Sequence, residues 1–302
     1  MASSTPASAT ADQAGAAASR SAPRGRRRGR RAGLLVLGAA TALALAVLVL
    51  LPERLAPQDP GEQTIGARLL PPLAAAAGAR FLLGSDHLGR DVLSRLVFGA
   101  RISLVMGLTA VLVSVLFGAT AGLVAGYFGG WFERAIMRLV DVQMAFPFIL
   151  LAIVVVGVLG PSPEKVVLVI GIGGWVHFAR VVRSEVLSLR EREFIEGARA
   201  TGAGDGRIVL RHVLPNVAPT VIVLATTALA YAIVAESSLS FLGVGIPPSI
   251  PSWGASLADG RQYVDTAWWL ATFPGLCILL TALAFNTLGD RLRDHLQSHR
   301  DS

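Results

Sequence analysis

The chain has 302 residues, of which 53% are hydrophobic and only 16% are charged, and its formal net charge is +7. A soluble domain would carry roughly 25% charged residues, and several apolar runs here reach the roughly 20 residues that cross a bilayer. The composition excludes an ordinary soluble protein and predicts an all-α, polytopic membrane protein. The basic residues cluster at the ends of apolar runs, which favours the positive-inside pattern over a nucleic-acid-binding groove.

The N-terminal third of the chain predicts a tail, an anchor and an outer segment. Residues 1–31 are rich in Ala and Ser and end in an Arg cluster, which indicates a disordered cytoplasmic tail. The apolar run 32–51 is longer than a usual signal-peptide core and no small-x-small cleavage site follows it, so we expect an uncleaved signal anchor. The Arg cluster places its N-terminus in the cytoplasm, and the polar segment 52–98 then lies outside.

Five further apolar segments complete a prediction of six transmembrane helices, at about 101–127, 135–160, 166–183, 217–240 and 268–289. Residues 99–290 are therefore expected to form the transmembrane domain. Counting from the first helix places the loop 184–216 and the tail 291–302 inside the cell, and 241–267 outside. Both chain ends are then cytoplasmic. The Arg residues concentrate in the inner loop and tail, as the positive-inside rule expects. We interpret three tryptophans as interfacial anchors: Trp253, Trp268 and Trp269.

Glycines and prolines within the apolar runs predict how the helices pack. Gly118, Gly122 and Gly126 are four residues apart, so they line one helix face and allow another helix to approach closely. Pro147 and Pro274 lie inside apolar runs, where each removes a backbone hydrogen bond and bends the helix.

Two sets of charged residues lie in the predicted spans. Arg138 and Asp141 are three residues apart and can pair on one helix face. Glu236 follows nearly twenty mostly apolar residues, and with Ser237 and Ser240 it is a candidate for a translocation pathway or gate. Two alternatives stay open for Glu236: a carboxylate that reaches the outer headgroups, or one that its neighbouring serines bind.

The sequence contains no motif for chemistry of its own. A P-loop, an HExxH sequence and a GxSxG sequence are all missing, and the single Cys277 permits neither an intrachain disulfide nor a cysteine-based metal site. We therefore predict no catalytic residue, no metal site and no cofactor in this chain, and no means of hydrolysing ATP by itself.

The inner loop has the pattern of a short amphipathic helix. Residues 190–201 have helical spacing, with Phe194, Ile195 and Ala198 on one face and charged residues on the other. Gly202 follows as a left-handed terminator. The pattern predicts a helix that runs across the membrane face, with a small apolar side suited to a groove in a partner.

The same loop resembles the signature of ABC-importer permeases, which is Glu-Ala-Ala, three residues, Gly, nine residues, then two residues and Leu-Pro. The matching positions are Glu196, Gly197, Ala198, Gly202, Leu214 and Pro215. More closely, the chain resembles the C-type permease subunit of dipeptide or oligopeptide ABC importers. The matching segments are 82–104, 211–216, 236–254 and 285–296. In two respects it departs from the family: Gly197 replaces the first Ala, and the end of the chain lacks an expected Asp-Pro-Arg.

The resemblance implies a fold and a set of partners. The fold would be a MetI-like core of five helices plus the N-terminal anchor. The loop would be a coupling helix that sits in a cleft of a separate ATPase, with Phe194, Ile195 and Ala198 filling the groove. Glu196 would fix its start and Gly202 its bend. The implied partners are a second homologous permease, two ATP-binding cassette subunits that hold ATP and Mg²⁺, an extracytoplasmic substrate-binding protein and membrane lipids.

Three alternatives remain at this point. A nickel or other metal-chelate importer permease shares these motifs and differs in substrate alone. A membrane-embedded enzyme would need an intramembrane nucleophile or a paired acid and base, which Glu236 alone does not provide. A non-transporting scaffold or sensor would use the inner loop to bind a regulator.

Overall fold

The structure, a computed structural model, describes residues 46–76 and 78–298. The predicted tail 1–31 and most of the predicted anchor 32–51 lie outside the described residues. Residues 46–50 are helical, at the end of that anchor, and the short helix α1 (Pro52–Leu55) follows.

The described chain is mostly helical. A small antiparallel hairpin, β1 (Ala74–Ala76) and β2 (Ala79–Phe81), lies before the first long helix, with Ala74 opposite Phe81. The helices in chain order are α2 (Val92–Phe128), α3 (Gly130–Met144), α4 (Phe148–Leu159), α5 (Pro163–Leu189), α6 (Glu193–Ala200), α7 (Asp205–Ile208), α8 (Leu214–Phe241), α9 (Trp253–Gly260) and α10 (Trp269–Ser298). Short 3₁₀ turns occupy Ile65–Ala67 and Arg261–Tyr263, and a π-helical turn, Val209–Val213, joins α7 to α8.

Within the described residues, four helices are long and apolar enough to span a membrane: Val92–Phe128, Pro163–Leu189, Asp205–Phe241 and Trp269–Asp294. They confirm a polytopic all-α membrane protein. The helices are longer than hydropathy predicted because polar residues cap them beyond the apolar runs. Asp91 caps α2 by accepting a hydrogen bond from the backbone N–H of Ser94 at 2.7 Å, and Ser162 caps α5.

The segment predicted as one span at 135–160 is broken into α3 and α4, which meet at 85°. Pro147 lies at the break, as the N-cap of α4, because its ring cannot continue the preceding helix. With 12 residues, α4 is about 18 Å long, shorter than the roughly 30 Å hydrocarbon core. Asp141 of α3 pairs with Arg180 of α5 at 2.7 Å, so the expected pairing with Arg138 is wrong.

The glycine face of α2 packs against α5, which confirms the close approach predicted from its spacing. A Cβ atom at Gly122 would lie 2.7 Å from the carbonyl oxygen of Ala179, and one at Gly126 would lie 2.7 Å from Cβ of Val186. Any side chain there would force the two helices apart. On its other side α2 contacts α8 and α9, and α10 completes the bundle against α8.

Candidate functional site

The helix α6 follows α5 after a short turn and has its own start and stop signals. Glu193 and Glu196 lie in its first turn and Arg199 in its last, which the helix dipole favours. Gly202 has φ +83°, and its N–H donates to the Arg199 carbonyl at 2.9 Å while the Ala203 N–H donates to the Ala198 carbonyl at 3.0 Å. This pair of bonds is a Schellman termination. The predicted amphipathic helix and its left-handed terminator are both confirmed.

The apolar side of α6 packs mainly on this chain. Ile195 has no exposed surface and lies in a cluster with Val186 of α5 and Ile208 of α7, and Ala198 packs against the same cluster. The expectation that Ile195 fills a groove in a partner is therefore wrong, since a fully buried side chain cannot reach another protein. Phe194 is 43% exposed, so of the three apolar residues it is the one open to a partner.

Polar contacts fix α6 and α7 to the end of α2. The hydroxyl of Tyr127 donates to Asp205 Oδ1 at 2.7 Å, and the guanidinium of Arg199 lies 5.6 Å from the centre of the Tyr127 ring. Arg190 donates to the carbonyl of Gly126 at 3.3 Å. We refer to Tyr127, Asp205 and Arg199 as the Tyr127 strap. Sequence reasoning missed it because Tyr127 and Asp205 are 78 positions apart, and a tyrosine at a helix end reads first as an interfacial anchor.

The remaining residues of the loop signature lie at the same end of the molecule. Glu196 and Gly197 are exposed on α6, and a Cβ atom at Gly197 would have no neighbour within 4 Å. Leu214 and Pro215 are exposed in the first turn of α8, directly after the buried Val213, which belongs to the cluster that holds Ile195. The same apolar cluster therefore positions α6, which carries the first part of the signature, and the start of α8, which carries Leu214 and Pro215.

Glu236 lies at the other end of α8 and has no exposed surface. Its carboxylate accepts a hydrogen bond from Ser240 at 2.9 Å, from Ser252 at 3.3 Å, and from Ser103 and Ser237 at 3.5 Å each. The alternative that it reaches the outer headgroups is wrong, since it is buried, whereas the binding by neighbouring serines is confirmed. The carboxylate also joins α8 to α2 and to the start of α9. Its place in a pathway or gate stays a prediction.

Two of the three tryptophans predicted as anchors are buried in the core. Trp253 is 1% exposed; its backbone N–H donates to Ser103 Oγ at 3.2 Å and its indole N–H to the Leu96 carbonyl at 3.0 Å. Trp269 is also buried and donates to the Ser85 carbonyl at 3.2 Å. The interpretation of these two residues as interfacial anchors is therefore wrong: both are core residues with satisfied N–H groups. Trp268 remains exposed.

A buried ion-pair network lies nearby, between the segment before α2 and α9. Arg90 Nε lies 2.5 Å from Asp86 Oδ2, Arg90 Nη2 lies 3.7 Å from Asp259 Oδ2, and Arg95 Nε lies 3.8 Å from Asp86 Oδ2. Burial raises the pKa of the Asp259 carboxyl above its usual range, and the charge of Arg95 opposes that shift. The network fixes the last part of the predicted outer segment 52–98 to the rest of the molecule.

Comparison with known proteins identifies the class of this chain. Residues 118–301 match the family described as binding-protein-dependent transport system inner membrane component. The match covers more than half of the chain, and the chain belongs to this family. It is therefore a multi-pass membrane component of a transport system.

Individual relatives are named as peptide permeases. The chain is 44% identical over 264 residues to the dipeptide transport system permease protein DppC of Escherichia coli strain K12, covering 86% of this chain and 88% of the relative. It is 42% identical over 242 residues to the di/tripeptide transport system permease protein DppC of Pseudomonas aeruginosa, covering 80% of each.

A solved structure supports the fold alone. A chain of the MetNI methionine ABC transporter, in an inward-facing conformation, matches with a TM-score of 0.53 and 21% identity, covering 66% of this chain and 95% of that one. The expected MetI-like fold is thereby confirmed.

Proposed function

We propose that this chain is the transmembrane permease subunit of an ATP-driven importer of short peptides, that it forms half of the passage, and that α6 couples it to a separate ATPase. The observation that carries the proposal is the two-sided environment of α6. Its inner side is packed through Ile195 and the Tyr127 strap onto α2, α5 and α7, while Phe194 is exposed on its surface. The peptide names of the relatives support the substrate class.

A permease subunit that couples to a separate ATPase requires several partners. Two ATP-binding cassette subunits would bind ATP and Mg²⁺ and receive α6, a second homologous permease would supply the other half of the passage, and an extracytoplasmic binding protein would deliver the peptide. In this arrangement α6 and both chain ends face the cytoplasm. The segment before α2 and the helix α9 lie at the opposite end of α8 from α6, on the proposed outer side.

The contacts of α6 support a rigid transmission of movement. Closure of the ATPase pair would displace α6, and a helix held by a buried side chain and a hydrogen-bonded strap cannot move without its supports, since packed interiors transmit strain. The displacement would pass to α2 through Tyr127 and to α8 through the π-helical turn Val209–Val213. The spans would then exchange between inward-open and outward-open arrangements.

The coupling role is tested by ATP-driven uptake of a labelled dipeptide into proteoliposomes that hold the whole complex. We expect Glu196→Lys and Gly202→Asp to abolish uptake while the complex remains in the membrane. Glu191→Lys is the matched control, because Glu191 is equally exposed but lies outside α6. Normal uptake by the Glu196 and Gly202 variants would contradict the coupling role.

The substrate class is tested separately, with the unaltered complex and its binding protein. Labelled dipeptides, longer peptides and nickel are offered in parallel, to a deletion strain and to its complemented form. Uptake of peptides alone supports the proposal, whereas uptake of nickel alone would make the chain a metal-importer permease.

Glu236 provides a test of the helices that would move during transport. We expect Glu236→Gln to change substrate affinity or the stimulation of ATP hydrolysis by substrate, because the carboxylate joins three helices that would move relative to one another. Steady-state ATPase and uptake kinetics measure this. Unaltered kinetics would leave Glu236 a purely structural residue.

A further inference from the structure

One face of α8 borders an open groove along the bundle. Thr220, Leu224, Thr227 and Tyr231 follow one another at intervals of three or four residues, so they share one helix face. A cavity of about 410 Å³ lies against Thr220 and Thr227, and a second of about 190 Å³ lies against Thr227 and Tyr231. Leu224 and Thr227 line both cavities. The two cavities are therefore neighbours along one face of α8, and together we call them the α8 groove.

The two ends of the α8 groove differ in chemistry. Toward the start of α8, which is the end that carries α6, the walls include Asp290 and Arg293 of α10. At the other end, the ring of Tyr231 lies 6.2 Å from the ring of Phe148, directly after the break between α3 and α4. His177 of α5 lines the wall between them. The groove thus runs from a charged mouth to an aromatic pair.

Several polar side chains lie on the walls of this groove, although most of the surface at its Tyr231 end is apolar. Polar side chains within membrane spans generally face the bundle interior or a water-filled cavity. Ile222, on the opposite side of α8, is 53% exposed, and Leu280 of α10 is 59% exposed, as hydrocarbon contact favours. Glu236 has no exposed surface and lies outside the linings of these two cavities. The groove, rather than the Glu236 cluster, therefore carries the polar side chains that are open to a solute.

We propose that the α8 groove is this chain's wall of the passage and that a short peptide contacts it directly. Peptide amide and carbonyl groups would exchange hydrogen bonds with the hydroxyls of Thr220 and Tyr231 and with the His177 imidazole. A peptide N–H would donate to the hydroxyl oxygen of Thr227, whose own O–H donates to the Leu224 carbonyl at 2.9 Å. Asp290 and Arg293 place both signs of charge at one mouth, which complements the ammonium and carboxylate termini of a free peptide. The inference rests on the proposed function, and the second permease would supply the facing wall.

The test uses accessibility to a water-soluble thiol reagent. In a Cys277→Ser background, which removes the single native thiol, cysteines are introduced one at a time at Thr220, Thr227 and Tyr231 in the assembled complex. Control cysteines replace Ile222 and Leu280. We expect a charged methanethiosulfonate reagent to label the groove positions at least tenfold faster than the controls, and a saturating dipeptide to slow that labelling during ATP turnover.

Other occupants of the groove give different results, each of which overturns the proposal. A groove filled with lipid would be labelled by a membrane-permeant maleimide and not by the charged reagent. A groove covered by another helix, such as the predicted anchor 32–51, would be labelled by neither. Labelling without any protection by dipeptide would mean a water-filled cleft off the passage.

A blocking variant separates this inference from the proposed function. We expect Thr227→Phe to lower dipeptide uptake at least tenfold with the complex still assembled, and Ile222→Phe to leave it unchanged. Uptake by the Cys277→Ser complex tests the proposed function by itself. If that complex imports dipeptide while the groove cysteines stay unlabelled or Thr227→Phe transports normally, the groove proposal fails and the proposed function stands.

Discussion

Gly202 is the residue at which α6 ends, with φ +83°. In that left-handed region a Cβ atom costs roughly 1–2 kcal/mol, and the two terminating hydrogen bonds depend on the conformation. Gly197, by contrast, is a mid-helix glycine with open space where a Cβ would lie, so it weakens α6 by roughly 1 kcal/mol relative to alanine without any packing reason. The glycine within α6 and the glycine just beyond its end thus have opposite consequences for its stability.

We predict that Gly202→Ala loosens α6 and that Gly204→Ala does not, because Gly204 has φ −69° and open space around it. Hydrogen exchange of the backbone amides of 193–200 should become about tenfold faster in the Gly202 variant, as expected for roughly 1.4 kcal/mol. Equal exchange in the two variants would show that the left-handed conformation contributes little.

At the scale of elements, the contact between α2 and α5 depends on the absence of side chains. Overpacking a tight contact typically costs about 1–3 kcal/mol, and Gly122 faces the backbone carbonyl of Ala179 at 2.7 Å from where its Cβ would be. We predict that Gly122→Val lowers the melting temperature of the complex. Gly157→Ala in α4 is the control, since it has no neighbour within 4 Å, and it should leave the melting temperature unchanged or raise it. An unchanged melting temperature in Gly122→Val would contradict the close contact between α2 and α5.

The Tyr127 strap connects two other elements, α2 and the α6–α7 segment. Tyr127→Phe keeps the ring beneath Arg199 and removes the hydroxyl that Asp205 accepts from, a loss of about 0.5–1.5 kcal/mol. We predict that the complex still hydrolyses ATP but imports fewer peptides per ATP, because movement of α6 passes less completely to α2. Simultaneous measurement of uptake and hydrolysis gives this ratio. The exposed Phe117→Leu, also on α2, is the control. An unchanged ratio in Tyr127→Phe would show that the strap does not transmit the movement.

At the scale of the whole molecule, the buried ion pairs hold the segment before α2 to α9. Removing one partner of a buried pair strands the other charge, which typically costs about 3–5 kcal/mol, whereas replacing both partners by apolar residues is often neutral. We predict that Arg90→Met lowers the melting temperature, because Asp86 and Asp259 both lose the positive charge that they face. The exposed pair of Arg180 and Asp141 is the control, since such pairs contribute about 0–1 kcal/mol. An unchanged melting temperature in Arg90→Met would show that the network is not stabilising.

The sequence by itself determined the class, the places of most spans and the position of α6. Hydropathy, glycine spacing and helix caps are local properties, and they predicted the long helices, a close helix contact at the glycine face of α2 and the termination at Gly202. The tertiary structure decided what those residues touch. Ile195 belongs to this chain's own core, Asp141 pairs with Arg180, and the backbone N–H of Trp253 donates to Ser103, because partners distant in sequence meet only when the helices pack. The groove along α8 likewise exists only between helices, so no pattern within one helix could have located it.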